Sequence, residues 1–170
     1  MKNIIVTIIE RYGVDRVKFS VIVYGSVVTT QLGDFNRDFT QEDLIRAVNN
    51  TTPNPGPVNL DQALKRAAFI FKSTARPNAK RVFVVFTDNQ AGNSQNSLIA
   101  ETALLRREGV LVLSAGFGSQ SNQIGQQMIK SVIFAPVDYI GVPNYPTERP
   151  VVIAEAIMFK ALQGMIFRYD

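Results

Sequence analysis

The pattern of hydrophobic and polar positions predicts helices and strands in succession along the whole chain. Isoleucines at helical spacing favour a helix over residues 1–12. Two segments rich in β-branched and aromatic residues follow at 16–25 and 27–35, and their closeness in sequence predicts an antiparallel hairpin. A capping arrangement at Thr40 predicts the start of the next helix. Further helices are predicted at 60–73, 98–107, 123–129 and 150–167, the last with Pro150 at its first position.

Two later segments are almost continuously apolar. "RVFVVFT" (81–87) and "VLVLSAGFG" (110–118) read as strands covered on both faces, and a shorter strand is expected within 132–142. Apolar strands that alternate with helices predict an α/β fold. We expect a three-layer Rossmann-like sandwich with a mostly parallel central sheet and one antiparallel edge strand. A chain of 170 residues suits a single domain, 1–170.

Composition and charge exclude several classes of function. The net charge of +4 comes from 18 basic and 14 acidic residues that are scattered along the chain, so we expect no nucleic-acid partner. The chain has neither histidine nor cysteine, which removes His-based triads, thiolate nucleophiles and the usual zinc sites. No apolar run approaches the length of about 20 residues that a membrane span needs. We therefore expect a protein that is not an enzyme and does not cross a membrane.

Asp88 is the sharpest candidate for a functional residue. It directly follows the apolar run 81–87, and ligands of parallel α/β sheets bind outside the carboxyl ends of the strands. A carboxylate at that place could bind a hard cation or contact a ligand. The alternative is a turn or cap residue, a role that aspartate often fills where a strand becomes a loop. Both interpretations stay open from the residues alone.

Two weaker motifs carry alternatives of their own. "GFGS" (116–119) is similar to a phosphate-binding loop, but Ser121 stands where the third glycine belongs, which favours a tight turn. Asn49 and Asn50 begin two overlapping N-x-Thr sequons in a predicted surface loop. If the chain is secreted, either asparagine could carry a glycan, although such tripeptides also occur by chance.

Taken together, the segments resemble a von Willebrand factor A (VWA) domain over essentially the whole chain. "VKFSVIVYGS" and "VVTTQLGDF" resemble the second and third strands of that family, and "LLRREGVLVLSAGFG" resembles a later strand. "RVFVVFTDNQAGN" resembles the strand that ends in Thr-Asp-Gly. The resemblance therefore implies a VWA-type sandwich.

The resemblance also implies a metal-ion-dependent adhesion site for Mg²⁺ or Mn²⁺, but the correspondence is poor. Asp88 matches the family's aspartate, whereas Asn89 replaces the glycine after it. Val58 stands where the family has a threonine ligand, and the Asp-x-Ser-x-Ser loop is missing from the sequence. Because a hard cation needs about six oxygen ligands, we expect no cofactor, or a weakly bound Mg²⁺ or Mn²⁺ at Asp88.

The missing loop belongs to a first strand that the family places between its second and fourth strands. The resemblance thus implies an amino-terminally truncated domain in which 16–25 and 81–87 present unpaired edges. Three explanations are open: a fragment of a longer protein, a truncated gene model, or a chain that re-pairs its sheet or self-associates through those edges.

The resemblance implies a non-enzymatic adhesion module that binds matrix, collagen or receptor proteins. Its ligand surface would comprise the segments 53–59, 88–94 and 116–122. Asn59 and Asn89 would be hydrogen-bonding neighbours of Asp88, while Gly56 and Gly92 would let the loops turn. We expect an extracellular or secreted location as part of a longer chain, with an intracellular VWA domain as the alternative. Two other functions stay open: a structural matrix component that self-assembles without metal, and a nucleotide- or small-molecule-binding Rossmann-like domain.

Overall fold

The computed structural model describes residues 1–32, 35, 37–52, 56–74, 76–87, 95–117, 139–142 and 149–166. The predicted helix at 123–129 lies outside these residues. The helices and strands, in chain order, are α1 (Lys2–Tyr12), β1 (Val21–Tyr24), β2 (Val28–Leu32), α2 (Gln41–Asn49), α3 (Leu60–Thr74), β3 (Arg81–Thr87), α4 (Gln95–Arg107), β4 (Val110–Phe117), β5 (Tyr139–Val142) and α5 (Pro150–Ile166).

The described strands form two hydrogen-bonded groups. β3, β4 and β5 are parallel with β4 in the middle, and the register of the first pair runs from Arg81 beside Val110 to Thr87 beside Gly116. β1 and β2 pair antiparallel, with Tyr24 beside Val28 at the turn. The predicted antiparallel hairpin and the mostly parallel remainder are both confirmed.

Helices cover the strands on two faces, which gives the three layers of the predicted sandwich. α3 and α4 share a core cluster with β3 and β4, and this cluster contains Leu64, Leu98 and Val112. On the other face, α1 and α5 share a cluster with β4 and β5, which contains Ile4, Ala115 and Ile157. A third cluster joins α1 to α2 and β2 through Ile9, Leu32 and Leu44.

The two strands predicted to be covered on both faces differ in their burial. Every residue of β4 is buried, because the strand has neighbours on both sides and helices above and below. In β3 only Val85 and Thr87 are buried, and the other side chains are half-buried. β3 is nonetheless covered on both faces, because Val85 packs with α3 and α4 on one face and Val84 packs against the cluster of α1 and α5 on the other. The partial exposure of β3 is consistent with β4 being its single hydrogen-bonded partner among the described strands.

The predicted starts of two helices, α2 and α5, are confirmed. The Thr40 hydroxyl accepts a hydrogen bond of 3.1 Å from the Asp43 amide, while an Asp43 carboxylate oxygen accepts one of 3.4 Å from the Thr40 amide. This reciprocal capping box begins α2. Pro150 is the first residue of α5, as predicted.

None of the helices in the described part of the chain is both long and apolar enough to cross a membrane.

Candidate functional site

The turn between β1 and β2 holds the segment that precedes α3. The Asn59 amide donates to the Gly25 carbonyl at 3.1 Å, and the Asn59 side-chain nitrogen donates to the Ser26 carbonyl at 3.0 Å. Because β1 ends at Tyr24, these contacts place residues 56–59 at the carboxyl end of that strand. Two hydrogen bonds from one residue fix the position of the segment.

The close approach of the segment 56–59 to Ser26 requires a glycine at position 56. Its φ of 115° lies in a region that side chains rarely adopt, and a Cβ atom built there would be 2.8 Å from the Cβ of Ser26. Such a distance is well inside van der Waals contact, so any larger residue would push the segment away from the turn. Gly56 was expected to let the loop turn, and the geometry supplies a second reason, which is the close approach to Ser26.

Asn59 lies at the predicted surface, and its side-chain nitrogen is engaged in the tie to Ser26. Its carbonyl oxygen accepts from the Ala63 amide at 3.3 Å, which makes Asn59 the residue from which α3 begins. Asn59 therefore has a structural role in this position. A direct contact with a ligand stays a prediction.

The residues near Asn59 do not fit a divalent-cation site. The Val58 side chain has no oxygen and packs against the core cluster of α3 and α4. The Asn59 amide group is oriented by its bond to Ser26. Among the described residues there is no group of three carboxylate, histidine or cysteine side chains that could hold a metal ion. Asp88, Asn89 and Gly92 lie outside the described residues.

Two polar residues that the sequence did not single out, Asp61 and Ser97, contact each other near the segment 56–59. The Ser97 hydroxyl donates to an Asp61 carboxylate oxygen at 3.3 Å, which joins the first turn of α3 to the first turn of α4. An acidic side chain is favourable in the first turn of a helix because of the positive end of the helix dipole. The available signal was that each residue lies in the first turn of a helix that follows a loop of the predicted surface.

The carboxyl ends of β3 and β4 meet at one edge, as the prediction requires. Thr87 is buried and lies beside Gly116 in the parallel register. The loop 118–122, on which the nucleotide-binding alternative depends, lies outside the described residues. That alternative stays a prediction. We use the term carboxyl-end surface for the turn 25–27, the segment 56–59, Thr87 and the first turns of α3 and α4.

Both sequon asparagines are exposed. Asn49 is the last residue of α2 and Asn50 is its C-cap. The Thr51 hydroxyl, which belongs to the sequon of Asn49, donates to the Val48 carbonyl at 2.7 Å. Thr52, which completes the sequon of Asn50, is exposed. The geometry therefore leaves the second sequon more accessible than the first.

The ion pair between Lys18 and Asp38, which changes the pKa of a carboxyl group, lies away from the carboxyl-end surface. A hydrogen bond from the Lys18 ammonium to Asp38, together with its positive charge, lowers the pKa of the Asp38 carboxyl. Lys18 precedes β1, so this ion pair lies at the opposite end of the strand from Tyr24. It offers a matched acidic control for any variant at the carboxyl-end surface.

Comparison with known protein families decides the classification. The model of the von Willebrand factor type A domain matches residues 1–136, which is most of the chain. The chain belongs to this family. The resemblance inferred from the sequence is confirmed, and so is the VWA-type α/β sandwich.

Several proteins of known sequence or structure are similar to this chain. The human collagen alpha-6(VI) chain is 28% identical over 127 residues, which is 73% of this chain and 5% of the collagen chain. Proximal thread matrix protein 1 from the mussel byssus superposes with a TM-score of 0.78 at 17% identity, over 93% of this chain and 40% of that chain. The manganese-loaded TRAP protein of Plasmodium vivax gives a TM-score of 0.68 at 16% identity, over 92% and 63%. At these identities the two solved structures show the fold alone, and this chain spans only part of each relative.

Proposed function

We propose that residues 1–170 form a non-enzymatic adhesion module that binds extracellular matrix, collagen or receptor-like proteins through the carboxyl-end surface. Family membership and the similarity to a collagen chain support a protein partner. The observation that carries the proposal is the fixed position of the segment 56–59, which two hydrogen bonds from Asn59 attach to the β1–β2 turn. A surface that is already ordered loses less conformational entropy when a partner binds.

The metal site of this module is degenerate. A manganese-loaded neighbour shares the fold, yet here Val58 packs into the core instead of offering a hydroxyl. In this proposal Asp88 is the residual polar anchor, with Asn59 and Asn89 beside it and Gly92 allowing the following loop to turn. A single carboxylate with waters holds Mg²⁺ or Mn²⁺ weakly. Binding to the protein partner then depends on direct contacts.

An extracellular or secreted location, as part of a longer chain, fits this proposal. The similar proteins include a collagen chain and a thread matrix protein. The exposed sequon at Asn50 is compatible with that location.

The test is a binding assay on immobilised matrix collagens and a receptor ectodomain panel. Asp88→Ala removes the proposed anchor, and we expect it to weaken binding by about tenfold or more. Asp38→Ala removes a carboxylate at the other end of β1 and should leave binding unchanged. Thermal melts of both variants check that they are folded. Equal losses in both variants would contradict the location of the surface, and no binding to any member of the panel would contradict the partner class.

A second candidate function is metal-independent self-assembly as a structural matrix component, and α5 favours it. Among the described side chains of this helix, three apolar ones are more than half exposed: Val152 at 55%, Phe159 at 61% and Leu162 at 51%. A helix that presents apolar side chains to solvent suits a contact between copies. Sedimentation equilibrium in EDTA tests it. Self-association that Phe159→Ser abolishes and Phe69→Ser does not would support this candidate, because Phe69 is similarly exposed on α3.

A further inference from the structure

β2 lies at the edge of its hydrogen-bonded group. It pairs with β1 along one side, and no strand lies along its other side in the described part of the chain. The side chains of Thr29 and Gln31 are exposed, so solvent reaches this strand. Backbone groups along the outer side of an edge strand can pair with another extended segment. Such an edge alone selects no partner, so the side chains beside it decide what it binds.

Arg66 of α3 borders this edge. Its Nε donates a hydrogen bond of 2.9 Å to the hydroxyl of Thr30, the middle residue of β2. The bond holds the guanidinium beside the strand and uses a single N–H donor of a group that has several. Arg66 is exposed and makes no ion pair with a described carboxylate. Its terminal nitrogens therefore offer N–H donors and an uncompensated positive charge beside β2.

Phe69, one helical turn further along α3, adds an apolar side chain at the same place. The central carbon of the Arg66 guanidinium lies 5.4 Å from the centre of the Phe69 ring. This cation–π contact favours a fixed position of the guanidinium over the ring. Phe69 is 60% exposed, so most of its surface is available to a partner. A cation and an apolar ring thus lie side by side next to β2.

We propose that β2, Arg66 and Phe69 form a docking site for an extended segment of a partner protein that carries an acidic and an apolar side chain two positions apart. The backbone of the segment pairs with the outer edge of β2. Its carboxylate accepts hydrogen bonds from the terminal nitrogens of Arg66, and its apolar side chain packs against Phe69. We call this the β2-edge site.

The spacing of the two side chains follows from the geometry of the site. Side chains two positions apart along a strand lie on the same face, about 6.6 Å from each other. This distance is close to the 5.4 Å between the guanidinium and the ring. The β2-edge site shares no residue with the carboxyl-end surface and does not depend on the proposed adhesion function.

A second copy of the chain does not supply this chemistry. β2 has no acidic side chain, and antiparallel pairing of two β2 strands about Thr30 would bring two Arg66 side chains of like charge together. The edge is also short, because the register with β1 shifts between Val21 and Ile22 and leaves Gln31 as an extra residue of β2. Such a bulge bends the end of a strand and limits pairing. The occupant is therefore an acidic peptide segment, recognised through its backbone and its side chains.

The test measures the affinity of the full chain for a fluorescently labelled peptide, Thr-Thr-Glu-Thr-Phe-Thr-Thr, by fluorescence anisotropy. The control peptide has glutamine in place of glutamate, which keeps the shape and removes the charge. Arg66→Gln and Phe69→Ser change the proposed site. Lys72→Gln is the matched control, because Lys72 is an exposed cation of the same helix and has no hydrogen bond or ion pair with a described residue.

We expect the unchanged chain to bind the glutamate peptide about threefold or more tightly than the glutamine peptide, as for an exposed ion pair. Arg66→Gln should abolish this preference and Lys72→Gln should keep it, while Phe69→Ser should weaken the binding of both peptides. The preference is a ratio within one variant, so a general loss of stability in Arg66→Gln would not imitate the result.

Hydrogen exchange tests the pairing with the strand. The glutamate peptide should slow exchange at residues 28–32 and leave β4, which is paired on both sides, unchanged. The proposal would be overturned by no binding of the glutamate peptide, by an equal preference in Arg66→Gln and Lys72→Gln, or by unchanged exchange at 28–32. Protection of 28–32 that rises with protein concentration in the absence of peptide would also overturn it, and would assign the edge to a second copy.

Discussion

The Tyr24 hydroxyl donates a hydrogen bond of 2.9 Å to the carbonyl oxygen of Phe86, and this bond links β1 to β3. It joins strands that belong to separate hydrogen-bonded groups in the described part of the chain. The residues are 62 positions apart in the sequence, so the contact closes a long loop of chain. The bond is half-buried, which shields it partly from competition by water.

Tyr24→Phe should therefore lower the free energy of unfolding by about 0.5–1.5 kcal/mol, the net contribution of a typical hydrogen bond. Urea denaturation measures the change. Tyr12→Phe is the matched control, since its ring packs against the core of α1 and α5 and no described residue bonds to its hydroxyl. An equal loss in both variants would show that the Tyr24–Phe86 bond does not stabilise the fold.

Gly56→Ala should destabilise the segment 56–59 for two reasons, which are strain at a φ of 115° and a clash with the Ser26 Cβ atom at 2.8 Å. Gly13→Ala is the control for strain alone, because its φ is 65° and nothing lies within 4 Å of the new methyl group. Strain of this kind costs about 1–3 kcal/mol, and we expect the loss at Gly56 to exceed that at Gly13.

The clash can be measured separately with a double-mutant cycle. Ser26→Gly removes the atom that the new methyl group would meet, so the combination with Gly56→Ala should be less destabilising than the sum of the single changes. Additive effects in urea denaturation would contradict the close approach of these two residues.

Acid should remove a stabilising contribution that depends on Asp38. Lys18 lowers the pKa of this carboxyl in the folded chain relative to its ordinary value of 3.8. The contribution is thus fully present above that value and is lost as the pH falls through the lower pKa of the folded state. Asp38 is exposed, so salt should screen the effect. Asp38→Asn should show a smaller loss of stability between pH 6 and pH 3 than the unchanged chain, and an equal loss would exclude the pair as the cause.

Secretion through a eukaryotic pathway, with a signal sequence supplied, should add a glycan at Asn50 and not at Asn49. Thr52 of the Asn50 sequon is exposed, whereas the Thr51 hydroxyl of the Asn49 sequon is bonded to Val48. Mass spectrometry of Asn50→Gln and Asn49→Gln distinguishes the two. Loss of the glycan only in Asn49→Gln would contradict this assignment.

The sequence predicted the elements best where one physical cause dominated. β3 has the predicted limits, 81–87, because its apolar run ends sharply at polar residues. β1 was predicted over 16–25, and among the described residues Val21–Tyr24 pairs with β2. Composition predicts which residues favour a strand, whereas the length of a strand depends on its neighbour.

The site was less predictable, because its contacts join distant parts of the chain. The resemblance placed Asn59 at the surface, but its bond to Ser26 spans 33 positions and depends on where β1 ends. The contact between Asp61 and Ser97 spans 36 positions, and neither residue belongs to a motif. The half-burial of β3, which pairs with β4 alone among the described strands, is likewise not encoded in the apolar pattern of that strand.

We propose that this VWA domain binds protein partners without a working metal site. The most direct measurement is the affinity for a binding member of the matrix panel, first in EDTA and then in millimolar Mg²⁺ or Mn²⁺. We predict affinities within about threefold of each other, because Val58 packs into the core and leaves Asp88 as a residual ligand. Binding that EDTA abolishes, that metal restores, and that Asp88→Ala removes in the presence of metal would contradict the claim.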